Sequence, residues 1–151
     1  MSGSYIAQTG EFLTPSFSGS DPSNTQTVGG IPDRIANGNL PGDQQTIDRW
    51  FDASAFVVPP ANSGRFGNSG TGIIVGPGRQ TASAGLFKSV PVGERMFFRV
   101  QISFTNLFNH PNFDVPALNI SAPAAVGTIR TIQTRDLAGP RNGLIGARLD
   151  W

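Results

Sequence analysis

The stretch that most limits the fold is residues 94–105, ERMFFRVQISFT. Met96, Phe98, Val100, Ile102 and Phe104 occupy alternate positions, with Arg95, Arg99, Gln101, Ser103 and Thr105 between them and Phe97 the one apolar residue out of place. Successive side chains of a strand point to opposite faces, so this spacing gathers the apolar residues on one face, whereas a helix would spread them around its circumference. About ten residues is also the length of a tilted strand that crosses a bilayer. By itself the alternation admits two settings for the stripe: lipid outside a barrel, or the inner face of a soluble β-sandwich.

Residues 142–151 (NGLIGARLDW) repeat the pattern. Ile145, Ala147, Leu149 and Trp151 share one face; Asn142, Gly146, Arg148 and Asp150 share the other, with Leu144 among them. Weaker alternation predicts strands at 80–90, at 126–135 (interrupted by Arg130) and at 4–14. Pro91-Val92-Gly93 predicts a short turn that makes 80–90 and 94–105 a hairpin. Helical signal is confined to 46–58, where Asp48 can cap a first turn ahead of Trp50 and Phe51 and Val58-Pro59-Pro60 stops it. Residues 16–45, 62–79 and 111–125 are rich in Gly, Asn, Pro and Ser, drawing on 19 Gly and 12 Pro. Loops of that length are unusual in compact soluble domains and ordinary on the outer side of membrane barrels. The expected fold is therefore all-β, antiparallel strands with long loops, over a single region 1–151.

Composition removes other classes. The charged fraction is 14% and the net charge +1 with the basic residues scattered, so no nucleic-acid footprint is present. The absence of Cys excludes disulfide scaffolds and thiolate metal sites. No apolar run approaches a transmembrane helix, and the N-terminus does not read as a signal peptide; an export signal is expected upstream, in a longer chain. His110 has no neighbouring partner and reads as a loop residue before Pro111. Asp21, Asp33, Asp43, Asp48 and Asp52 could be read as a loop calcium site, but they lack EF-hand spacing and no metal site is expected. Residues 64–70 and 76–78 lack the Gly-Lys-Ser/Thr ending of a phosphate loop. No nucleophile elbow or other catalytic constellation appears, so neither enzyme nor cofactor is expected.

Several short runs then carry a resemblance. They are Gln8-Thr9-Gly10, Asp21-Pro22-Ser23-Asn24, Ile31-Pro32-Asp33-Arg34, Thr46-Ile47-Asp48-Arg49-Trp50-Phe51 with Ala55-Phe56, and Arg65-Phe66-Gly67-Asn68-Ser69-Gly70. Gly76-Pro77-Gly78, Leu86-Phe87-Lys88, Glu94-Arg95 and, most specific, FTNLFNHPNF at 104–113 follow. In this order the chain resembles the C-terminal barrel segment of a TonB-dependent outer-membrane receptor of the Oar-like group, which carries a carboxypeptidase-regulatory-like N-terminal domain. It departs from that pattern at Val75, Ala82 and Ala84, and in the polar Asp150 beside the final aromatic.

The resemblance implies a bacterial outer-membrane location and a share in TonB-dependent uptake of a ligand. Plug and N-terminal domains are absent, and about five or six strands are present, fewer than the roughly eight of the smallest closed membrane barrel. It implies that Met96, Phe98, Val100, Ile102 and Phe104 face lipid and that Arg95, Arg99, Gln101 and Arg148 line the lumen. Ile145, Ala147, Leu149 and Trp151 would form the C-terminal signal read by the barrel-assembly machinery. The remainder of the barrel, its plug and outer-membrane lipid are the other implied partners. The rival is a self-standing secreted or surface β module whose open edges add strands from other copies into a fibre or adhesive structure.

Overall fold

A computed structural model describes residues Met1–Trp151. Its elements are β1 (Ser2–Gln8), β2 (Phe12–Leu13), β3 (Asp33–Arg34), β4 (Phe56–Val57), β5 (Ile74–Val75), β6 (Arg79–Val92), β7 (Met96–Thr105) and β8 (Asn142–Asp150), with 3-10 turns at Ala53–Ala55 and Arg135–Leu137. All pairing between strands is antiparallel. No helix is long and apolar enough to cross a membrane, which says nothing about crossing by strands. The chain forms two compact units.

The first unit (Met1–Thr9, Gly78–Phe113, Ile132–Trp151) is built on a four-stranded sheet in the order β1-β6-β7-β8. The sheet is open, with β1 and β8 at its edges. The hairpin predicted from the 80–90 and 94–105 patterns is present, with β6 running on to Val92 opposite Met96. The turn is Gly93-Glu94-Arg95 rather than Pro91-Val92-Gly93; Gly93 takes φ +77°, a left-handed conformation that glycine adopts without steric cost. Arg95 is therefore a turn residue and not a member of β7. The two other connections are long, and both leave the sheet at the opposite end, after Gln8 and after Thr105.

The second unit (Gly10–Pro77, Asp114–Thr131) contains most of the Gly/Asn/Pro-rich stretches, which are irregular loops as expected but are not without packing. They fold around a core of Leu13, Phe51, Ala55, Phe56 and Ile74. The Phe51 and Phe56 rings meet edge to face at 6.1 Å. Two-stranded pairs β2-β5 and β3-β4 are its only regular sheet. With so little ladder, side chains satisfy the backbone. Asn39 donates to the Ile73 carbonyl (2.7 Å) and accepts from the Val75 amide (2.9 Å), standing in for a strand beside β5.

Three further expectations are corrected. Residues 126–135 form no strand: Gly127 turns at φ +78°, the Thr128 amide bonds back to Ala125, the Ile129 amide goes to Ile47 and only Ile132 makes a bridge, to Phe113. These backbone groups find partners in several segments rather than in one neighbouring strand. The predicted strand 4–14 divides into β1 and β2, which belong to different sheets. The helical segment shrinks to Ala53–Ala55, capped by Asp52 accepting from the Ser54 amide; Asp48 is not the cap.

Candidate functional site

The sheet of the first unit places the sequence-selected residues in registered rows, because directly opposite residues of an antiparallel pair share a face. One face is apolar. Phe98 lies between Val90 and Leu149, Val100 between Lys88 and Ala147, and Ile102 between Leu86 and Ile145. Phe104 lies between Ala84 and Gly143, and an added Cβ at Gly143 would meet the Phe104 ring. Leu86, Val90, Phe98, Ile145 and Leu149 remain exposed in the isolated chain, Ile145 at 77%. Met96 faces Val92 at the turn end, and Trp151 follows the Phe97–Asp150 pair at the same level. At the far end Tyr5 pairs with Ala82 on this face, and its hydroxyl reaches Gln80 (3.4 Å) one row further out.

The other face carries the polar residues, with Phe87, Phe97 and Leu144 among them. Arg99 lies between Ser89 and Arg148, and Gln101 between Phe87 and Gly146. Arg99 and Arg148 are like charges directly opposite, an unfavourable cross-strand pair taken alone. Asp150 resolves it by pairing with the Nε of both guanidiniums. The polar residue beside the terminal Trp, out of keeping with the resemblance, is thus the shared counter-ion of two arginines. A cavity of about 560 Å³ lies at these rows, lined by Phe87, Ser89, Arg99, Gln101 and Arg148 together with the Lys88–Val100–Ala147 row. The predicted apolar residues Met96, Phe98, Val100, Ile102, Phe104, Ile145, Ala147 and Leu149 are brought together. Arg99, Gln101 and Arg148 are brought together opposite them, and Arg95 is left in the turn.

The motifs of the resemblance act as clamps. Asn106 and Asn112 are each 1% exposed. Asn106 donates to the carbonyls of His110 and Gly139 and accepts from the His110 amide. Asn112 donates to Ala138 and accepts from the Gln80 amide (2.7 Å). Together they tie the end of β7 to the segment that leads into β8. His110 takes part through its backbone only. In the second unit Asp33 receives both terminal nitrogens of Arg65 (2.7 and 2.6 Å) and the Asn68 amide. Arg65 holds the Asp33 carboxyl below the ordinary carboxylate range, against the opposing pull of desolvation. A side chain at Gly67 would strike the Ile31 carbonyl, so the glycine is required there. The five aspartates considered as a calcium set are not gathered: Asp21 binds Ser23 and the Gln26 amide, and Asp52 binds Ser54 and Arg49.

A family model described as an outer membrane beta barrel domain matches residues 1–142. The chain belongs to this family. No curated protein and no solved structure matches it. As an outer membrane beta barrel domain it resides in the bacterial outer membrane, and the self-standing secreted module is not favoured. The match ends at Asn142, the first residue of β8, which joins the sheet through its full register with β7. Tyr5, Lys88 and the counter-ion role of Asp150 were missed by the reading of the sequence. Tyr5 sits in a segment with weak alternation, and cross-strand levels become visible only once register is known.

Proposed function

We propose that this outer membrane beta barrel domain forms part of a TonB-dependent receptor of the Oar-like group, taking up a ligand across the outer membrane without catalysing a reaction. The observation that carries the reading is the division of one sheet into an apolar face bounded by Trp151 at one end and Tyr5 at the other, and an opposite face bearing Arg99, Gln101 and Arg148. From the Trp151 level at Val92 to the Tyr5 level at Ala82 the strand runs about 33 Å at 3.3 Å per residue. At a tilt near 40° that is about 25 Å of height, the height of the apolar band of a membrane barrel between its aromatic girdles. In this reading Met96, Phe98, Val100, Ile102 and Phe104 face lipid, and Arg99, Gln101 and Arg148 face the lumen. Ile145, Ala147, Leu149 and Trp151 serve as the C-terminal assembly signal.

The two long connections then emerge on the outer surface, and the Gly93-Glu94-Arg95 turn on the periplasmic side, as short turns do in such barrels. A closed barrel needs more strands than these four, so β1 and β8 pair with further barrel strands, and a plug occupies the lumen. Since the chain has no Cys, single-cysteine variants test the facing directly. Val100→Cys carrying a fluorophore should be quenched by a lipid-phase quencher and Gln101→Cys by an aqueous one. The same quenching at both positions would sink the two-faced reading. Uptake is tested by deleting the gene and, separately, the inner-membrane energising complex; loss of the same nutrient import in both strains is the expected result.

A further inference from the structure

On the apolar face, between the Tyr5 and Trp151 levels, every residue is uncharged except one. Lys88 sits in the row with Val100 and Ala147, is exposed, and its ammonium makes no ion pair or hydrogen bond with another side chain. It is also the only lysine in the chain; the ten other basic residues are arginines. If this face meets hydrocarbon, as proposed above and as this inference requires, an unpaired ammonium there is costly unless an anion reaches it.

Position limits which anion. From Lys88 to the Val92 level is about 13 Å along the strand and about 10 Å in depth, whereas from Lys88 to the Ala82 level is about 20 Å and about 15 Å. A lysine side chain reaches roughly 6 Å and can lay its methylenes along apolar neighbours while its amine seeks the interface. The amine therefore approaches the border on the side of the Gly93-Glu94-Arg95 turn and falls well short of the other. On that route Val90 offers a smaller side chain than Phe98 or Leu149 in the same row. We propose that Lys88 is a lipid-binding residue, drawing the phosphate of a phospholipid headgroup from the turn-side leaflet against the Val90–Phe98–Leu149 row.

A single lysine makes the test direct. The barrel is assembled with only this segment carrying ¹⁵N-labelled lysine, reconstituted in phosphatidylethanolamine/phosphatidylglycerol bilayers, and the one labelled side-chain nitrogen signal is observed by solid-state NMR. Dephasing of that signal by lipid ³¹P is expected, and Lys88→Gln should lower the preference for phosphatidylglycerol over a neutral lipid by about fivefold, with Lys88→Arg retaining it. A nitrogen signal shielded from water but untouched by ³¹P overturns the headgroup assignment and points to a carboxylate on a membrane partner. Rapid reaction of Lys88 with a water-soluble amine reagent, together with aqueous quenching at Val100, would instead remove the membrane-facing reading on which the inference rests.

Discussion

The four-stranded sheet and the unit formed by Gly10–Pro77 and Asp114–Thr131 use apolar residues in opposite ways. In the second unit, Phe51, Phe56 and Ile74 are 1–4% exposed and pack on one another. In the sheet, Leu86, Phe98, Ile145 and Leu149 are turned outward and left open by the protein itself. The sheet has long ladders and few side-chain clamps; the second unit has almost no ladder and is held by Asn39, Asp33 with Arg65, and buried prolines. Under the membrane-facing reading proposed above, the difference follows from solvent. Where hydrocarbon surrounds a strand, every backbone group must be satisfied by a neighbouring strand and the side chains can face outward. Where water surrounds the chain, apolar groups turn inward and the backbone can take irregular paths with side-chain partners.

The largest expected effect compares the same substitution in the two settings. Phe51→Ala should destabilise the second unit by about 3–5 kcal/mol, because it loses the transfer energy and leaves a cavity in a packed core. If Phe98 faces lipid as proposed, Phe98→Ala should cost about 1.5–3 kcal/mol, the transfer energy without a lasting cavity, because lipid chains would fill the space. Urea unfolding of the chain in lipid vesicles, read by hydrogen exchange in each unit, checks both; equal losses would mean that Phe98 packs against protein.

A charge placed on each face comes next. Ile102→Lys, near mid-height of the band, should cost about 2–4 kcal/mol of folding free energy in bilayers, while Gln101→Lys on the polar face should be nearly neutral. A reversed order would exchange the two faces.

Asn106→Ala should cost about 1–3 kcal/mol by leaving the Gly139 carbonyl without its side-chain donor and the His110 amide without its side-chain acceptor. The loss should appear as faster amide exchange in 106–113 and 135–141 with the β6–β7 hairpin unchanged. Uniform acceleration across the sheet would show that the clamp supports the whole unit.

The smallest effect is electrostatic and confined to the second unit. Asp33→Asn should cost about 1–2 kcal/mol, since Arg65 is half exposed and part of the pairing is screened. The folded pKa of Asp33 lies below its ordinary value of 3.8. Its contribution is therefore complete above that value and lost as pH falls through the lowered one. Acid titration to about pH 2 should loosen the second unit in the wild type. In Asp33→Asn that step should shrink; an identical acid transition in both would assign it to other carboxylates.

The strands of the sheet were legible because their period is local. Residues 94–105 and 142–151 state their faces without reference to anything else, and the β6–β7 hairpin follows from two alternating runs separated by a short Gly-containing turn. Residues 126–135 misled because alternation over a short span also arises in a segment whose amides bond to several different partners. The core of the second unit was hidden for a related reason. Leu13, the Phe51–Phe56 pair and Ile74 come from three separate stretches of the chain, with no period to collect them. Its motifs were visible as a family pattern, but the pattern gave no hint that Asp33, Arg65 and Gly67 act as structural clamps.

What the amino-acid order determined alone is the strand period, the chemistry of each face, the length suited to a bilayer and the exclusion of cysteine chemistry. Tertiary structure alone decided which rows align. It placed Tyr5 level with Ala82, left Lys88 alone among apolar neighbours, gave Asp150 to both Arg99 and Arg148, and folded the Gly/Pro-rich connections into a unit with its own core. The division has one physical cause. A side chain's face is fixed by backbone geometry within its own strand, whereas its level and its partners depend on register and on contacts between segments far apart in the chain.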